Sequence, residues 1–199
     1  MNETARPRFL LALLLIVALA AAACDRGGGE PPLKDARIGG GFTLTDQDGR
    51  RVSDRDFAGR YRIVYFGFSH CPDICPVDLA LIGQALDRLE ESRPAAARRV
   101  QPIFITVDPE RDTPAVLKPY VAAFHPRLIG LTGTPAEIAA VARKFGIYHA
   151  REAPGAGGGY NVQHSRAVLL FGPQGEPVAI LPHEQGAEAM AAELERWVK

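Results

Sequence analysis

The segment His70-Cys71-Pro72-Asp73-Ile74-Cys75-Pro76 sets two thiols four residues apart. It follows the β-branched and aromatic run Arg62-Ile63-Val64-Tyr65-Phe66-Gly67-Phe68 and precedes apolar residues at helical spacing. Both cysteines are therefore expected where a strand turns into a helix N-terminus, a place where free N–H groups and the helix dipole favour thiolate over thiol. If both lie in the first helical turn they share one face, with Cβ atoms roughly 5–6 Å apart. Such a pair can share a metal ion or close a disulfide after adjustment. A bridge over so short a segment constrains the unfolded chain little, so a purely structural disulfide is the weaker reading. Two soft thiolates on one face call for a third ligand.

The rest of the chain supplies the elements that must hold this motif. Phe42-Thr43-Leu44-Thr45 and Arg51-Val52-Ser53 alternate around Asp48-Gly49 as a hairpin, and residues 62–68 form the strand ahead of the cysteines. Leu79, Ile82, Leu86 and Leu89 mark a helix over 77–92, stopped before Pro94. A buried strand is predicted over 100–107, a helix from Thr113-Pro114 toward Phe124, and a short strand over 128–131. Thr134-Pro135-Ala136-Glu137 is a capping box for a helix reaching about Phe145. A glycine-rich loop over 154–159 is expected to be mobile. Residues 162–171 and 178–181 read as a hairpin around Pro173-Gln174-Gly175, followed by an amphipathic helix over 186–198. Strands alternating with helices predict an α/β fold, a central mixed sheet flanked by helices. The cysteine motif after an early strand narrows this to a thioredoxin-like fold.

With 199 residues, 47% hydrophobic and 23% charged, the chain has the size of one well-buried domain plus an export segment. Basic and acidic side chains balance at 23 each, which leaves no positive field to gather nucleic acid. Arg6 and Arg8 precede an apolar run from Phe9 to Ala23, suited to a signal-peptide core. Ala21-Ala22-Ala23-Cys24 resembles the lipobox of bacterial lipoproteins, although leucine is more usual where Ala21 stands. Cys24 is thus the expected lipidation site, and Asp25 resembles an inner-membrane retention signal. The expected organisation is a signal peptide of lipoprotein type over 1–23, a flexible glycine- and proline-rich tether over 24–41, and the folded domain over 42–199. The expected location is the bacterial cell envelope, at the periplasmic face of the inner membrane. With Cys24 acylated, Cys71 and Cys75 remain as the only pair.

Three segments together resemble the Sco (SenC) copper-binding proteins that serve cytochrome c oxidase assembly: Gly67-Phe68-Ser69-His70-Cys71-Pro72-Asp73-Ile74-Cys75-Pro76, Asp108-Pro109-Glu110-Arg111-Asp112-Thr113-Pro114 and Tyr160-Asn161-Val162-Gln163-His164-Ser165. The resemblance runs roughly over 42–198. It implies a thioredoxin-like domain in which Cys71, Cys75 and His164 bind one copper ion, as Cu(I), Cu(II) or both. It further implies a copper donor protein, a thioredoxin-like reductant, and a client in cytochrome c oxidase subunit II. In such folds the residue opening the first strand of the final hairpin lies against the cysteines, and His164 holds that place. Two thiolates and one imidazole make a soft set of low coordination number, suited to copper, whereas structural zinc would want a fourth ligand. Asp73, Asp108 and Gln163 are candidates for tuning the ligands from behind. Asp73 has helix capping as its plainer role, and Asp112 and Thr113 read as turn and cap. Gln163 departs from the family, which commonly carries aspartate directly before the metal histidine, and this bears on ligand basicity or metal release. His70, His125, His149 and His183 read as packing or surface residues. Two other activities compete with copper handling: a thiol–disulfide oxidoreductase using Cys71 and Cys75 without metal, and, more weakly, a peroxiredoxin-like peroxidase.

Overall fold

The computed structural model describes residues 29–154 and 159–199. The export segment, Cys24 and most of the glycine-rich loop lie outside the described residues. In chain order the elements are β1 (Thr43–Asp46), β2 (Arg51–Ser53), β3 (Tyr61–Gly67), α1 (Ile74–Ser92), the short α2 (Pro94–Ala97), β4 (Val100–Thr106), α3 (Pro114–Ala122), β5 (Ile129–Thr132), α4 (Pro135–Lys144), β6 (His149–Arg151), β7 (Val162–His164), β8 (Val168–Phe171), β9 (Pro177–Leu181) and α5 (Gly186–Trp197). One-turn 3-10 helices at Asp54–Phe57 and His183–Gln185 complete the list.

Seven strands form one mixed sheet in the order β2-β1-β5-β4-β3-β8-β9. β3 and β4 run parallel and are buried along their whole length, as strands covered on both faces must be. β8 pairs antiparallel on the other side of β3, so the strand leading to the cysteines is central. Along α1, Cys75, Asp78, Leu79, Ile82, Leu86 and Leu89 share the buried face, the spacing of an amphipathic helix. Thr134 caps α4 reciprocally with Glu137, as the sequence predicts: Thr134 Oγ1 accepts from Glu137 N–H at 3.2 Å, and Glu137 accepts from Thr134 N–H at 2.8 Å.

Two features differ from expectation. The strand predicted over 162–171 is broken: β7 leaves the main sheet and pairs antiparallel with β6 in a separate two-stranded ribbon. The break falls where Ser165 N–H donates to Tyr148 C=O at 3.0 Å and Arg166 is drawn to Asp78, so the chain turns before β8 begins. The second difference is α1, which starts at Ile74 and so takes Cys75 into its first turn while leaving Cys71 ahead of it.

Within the stretch expected as a tether, Leu33 N–H donates to Val178 C=O at 3.1 Å and Gly39 N–H to Lys144 C=O at 2.7 Å. Gly39 has φ 91, and a Cβ there would lie 2.6 Å from the Phe171 ring, so only glycine fits. Among the described residues, no helix is long and apolar enough to cross a membrane.

Candidate metal centre

Cys71 sits half-buried in the connection from β3 to α1, its N–H donating to Phe68 C=O at 3.2 Å. Cys75 is fully buried in the first turn of α1, and its N–H donates to Cys71 Sγ at 3.4 Å. Both are free thiols. A helix N-terminal amide thus faces the Cys71 sulfur, while the thiolate expected at Cys75 is opposed by its surroundings. Burial pushes the Cys75 thiol up to about 12, outweighing the helix N-terminus. The sulfur is enclosed so tightly that a Cβ on Gly67 would lie 3.0 Å from it.

His164 comes from β7. Its Nε2 lies 3.3 Å from Cys75 Sγ, and its Nδ1 lies 3.0 Å from the Ser165 carbonyl oxygen. A carbonyl only accepts, so Nδ1 carries the proton and the Nε2 lone pair faces the sulfur. Burial lowers the pKa of His164, which keeps the ring neutral. The Cys75 S–H therefore donates to Nε2. Tyr65 and Phe68 meet the imidazole edge to face, with ring centroids at 6.3 and 5.9 Å, and fix its plane. The donor atoms of Cys71, Cys75 and His164 all lie within 4.8 Å of one another. Two sulfurs and an unprotonated imidazole nitrogen form a soft set that fits copper.

Three buried carboxylates hold this arrangement. Asp78 accepts from the Tyr65 hydroxyl at 2.9 Å and from the Arg166 guanidinium at 2.9 and 3.2 Å. Asp112 accepts from Ser69 N–H at 3.0 Å, from Ser69 Oγ at 2.5 Å and from Thr106 Oγ1 at 2.6 Å, anchoring the loop into Cys71. Asp108 accepts from the Tyr160 hydroxyl at 2.7 Å and from Arg111 Nε, while Arg111 Nη1 donates to Tyr160 C=O at 3.0 Å. The Asp108 cluster therefore steadies the approach to β7 and does not reach the donor atoms.

The remaining candidates divide. Asp73 stands at the N-cap of α1 without a side-chain capping bond, exposed at the cleft rim, so the expected cap is absent. Gln163 alternates with His164 along β7 and is exposed, with no side-chain hydrogen bond among the described residues. Thr113 caps α3, accepting from Val116 N–H at 3.4 Å, whereas Asp112 does more than the turn expected of it. His70 is exposed, its Nδ1 3.0 Å from Ser69 Oγ. His125 faces Asp87 and Glu90 at 3.7 Å, forming the second cluster of potential metal ligands among the described residues. Its Nδ1 accepts from Arg127 N–H at 3.1 Å, so Nε2 bears the proton and the group is a polar clamp, not a metal site.

Asp78, Arg166 and Tyr65 escaped the sequence reading. The signal was present at Asp78, a carboxylate lying on the apolar stripe with Cys75, Leu79 and Ile82. A charge on a buried helical face demands a partner.

The SCO1/SenC family model matches residues 30–199. The chain belongs to the SCO1/SenC family. Among curated relatives, a mitochondrial SCO1 homolog of Arabidopsis thaliana is 44% identical over 144 residues, covering 72% of this chain and 42% of the relative. A mitochondrial SCO2 homolog of Bos taurus is 45% identical over 144 residues, covering 72% and 53%. The chain thus spans about half the length of these relatives. Among solved structures, Arabidopsis thaliana ScoI with copper bound superposes with TM-score 0.74 at 39% identity, covering 80% of this chain and 97% of that one. Bradyrhizobium japonicum ScoI with copper bound gives 0.73 at 40% identity, covering 80% and 99%. BsSco, described as a member of the Sco family of cytochrome c oxidase assembly proteins with a disulfide switch, gives 0.63 at 25% identity, covering 86% and 100%. The expected thioredoxin-like α/β fold stands with these Sco structures. The expected location is corrected: the curated Sco relatives are mitochondrial proteins of plant, animal and yeast, not proteins of a bacterial envelope.

Proposed function

We propose that this chain binds one copper ion through Cys71 Sγ, Cys75 Sγ and His164 Nε2, and assists assembly of the copper centre of cytochrome c oxidase. The observation that carries the reading is the convergence of these donor atoms within 4.8 Å, with Nδ1 tied to a carbonyl so that Nε2 is presented unprotonated. When bound, copper supplies a thiophilic ion that can pass between sulfur ligands. The protein's part is to hold the donors and move one proton. His164 keeps its lone pair inward, Cys75 would release to solvent the proton it donates to Nε2, and Cys71 offers the half-exposed sulfur at the cleft. The proposed partners are a copper donor protein, subunit II of the oxidase as client, and a thioredoxin-like reductant. At the N-terminus, residues 1–23 are proposed as a cleaved signal segment and Cys24 as a lipidated anchor. Mass spectrometry of the mature N-terminus tests this, and an unmodified chain beginning elsewhere overturns it.

The contrast between a half-exposed Cys71 and a fully buried Cys75 also supports a thiol–disulfide oxidoreductase acting on the same client's cysteines. The Cys71 thiolate attacks a client disulfide and forms a mixed disulfide, releasing one client thiolate. Cys75, on losing its proton, attacks Cys71, releases the second client thiol and leaves the pair oxidised for the external reductant.

Anaerobic titration of the reduced chain with Cu(I) against a chelator decides the primary reading. About one copper per chain is expected, with affinity reduced more than ~100-fold in Cys71→Ser, Cys75→Ser and His164→Ala. Full copper retention by the Cys71→Ser/Cys75→Ser double variant overturns it.

A further inference from the structure

β7 is an open edge. Ser165 N–H donates to Tyr148 C=O and Glu152 N–H to Asn161 C=O, with Gln163 opposite Ala150 between them. In an antiparallel ladder hydrogen-bonded pairs alternate, so the N–H and C=O groups of Val162 and His164 point away from β6. Among the described residues they have no hydrogen-bond partner, and no strand lies beyond β7.

This edge borders a cleft of about 610 Å³ whose facing wall is Cys71, Pro72, Asp73 and Ile74. All of β7 and none of β6 lines it, which puts the cleft on the open side of the ribbon. Tyr148, 62% exposed, lines it too. Asp73 is the one charged lining residue among the described residues.

We propose that this edge takes an extended peptide carrying a cysteine and neutral or basic flanks, which adds a third strand to the ribbon and lays its thiol against Cys71. Donors and acceptors repeated every second residue match a polypeptide backbone. The apolar walls accept alternate side chains, and Asp73 disfavours acidic ones. The proposal rests on the copper-handling reading for the identity of the thiol, and it names the form in which a client segment is recognised.

The test uses the reduced, isotope-labelled full chain and a blocked peptide of about nine residues, one central cysteine among valine and threonine with a terminal lysine. Amide exchange at Val162 and His164 is expected to slow roughly tenfold at saturating peptide, while Gln163, already inside the ladder, stays unchanged. Peptides N-methylated on the amides facing β7 lose binding, and those methylated on the alternate set keep it. Unchanged exchange, or equal binding of both methylated sets, overturns the proposal. So does protection that grows with protein concentration without peptide, which assigns the edge to a second copy. Neither readout contains copper, so failure here leaves the Cu(I) titration standing, and failure of that titration leaves edge docking measurable.

Discussion

Arg166 forks onto Asp78, with Nη2 2.9 Å from Oδ1 and Nε 3.2 Å from Oδ2, and this pair joins the helix that carries Cys75 to the segment that follows His164. Asp78 lies one turn after Cys75 on α1, and Arg166 two residues after His164. The sulfur and the imidazole are thus tied together through a contact that neither ligand makes.

Asp78→Ala removes the partner of both Arg166 and the Tyr65 hydroxyl. Arg166 is 38% exposed, so water recovers part of the loss, and a destabilisation of about 2 kcal/mol is expected in urea unfolding. Cu(I) affinity is expected to fall about tenfold through misplacement of His164, with Asp78→Asn recovering part of both effects. An Asp78→Ala protein with unchanged copper affinity would show that the fork does not set the site.

The Cys75 thiol is raised from 9.0 to about 12 by burial. Between these values the unfolded chain loses this proton while the folded chain keeps it, so the folded state binds more protons and stability falls as pH rises. The contribution is complete below about pH 9 and is lost by about pH 12. Reduced, metal-free protein is expected to show this alkaline loss in its urea midpoint, and Cys75→Ser is expected to lack that component. His164 has the opposite slope: its lowered pKa stabilises the fold above 6.5 and the contribution is lost as pH falls. An imidazole proton titration by NMR with a midpoint above 6.5 would contradict the neutral ring.

Redox state is expected to gate the donor set, because a Cys71–Cys75 disulfide would remove both sulfurs at once and leave one imidazole. Oxidised protein is expected to bind Cu(I) far more weakly than reduced protein in anaerobic chelator competition, with a dithiol restoring binding. Equal affinities in the two forms would sink the gate.

Gly67→Ala tests how tightly the buried sulfur is held. The new Cβ would lie 3.0 Å from Cys75 Sγ, 3.0 Å from Phe104 and 3.1 Å from Tyr65, all in the core. Overpacking of this kind costs about 1–3 kcal/mol. Copper affinity is expected to drop alongside stability, and a fully stable, fully active variant would mean the wall yields.

Elements with a strong local pattern were legible in the sequence. Leu79, Ile82, Leu86 and Leu89 carry their helix in their spacing, and Thr134 with Glu137 marks a helix start within four residues. The cysteines and His164 were legible as a set through the motifs around them. What was not legible depends on distant pairs: Asp78 finds Arg166 88 positions on, and Ser69 finds Asp112 43 positions on. The ionisation of Cys75 was hidden for the same reason, since a helix N-terminus is a local signal and burial is not. β6 has only three residues and no turn chemistry of its own, and it exists because β7 leaves the main sheet to meet it.

The departure of β7 from the main sheet divides the ligands between two bodies of unequal firmness. Cys75 rides on the helix packed against the seven-stranded sheet and Cys71 on the connection just ahead of it, while the imidazole rides on a ribbon of three residue pairs. A ladder that short is marginal by itself, and it is expected to open at a free energy below that of global unfolding. With copper held as proposed, its apparent affinity is expected to scale with the fraction of molecules in which the ribbon is paired. The Tyr160–Asp108 hydrogen bond and the Arg151–Glu110 ion pair brace the ribbon, so substitutions there are expected to loosen grip on the metal without altering a single proposed ligand.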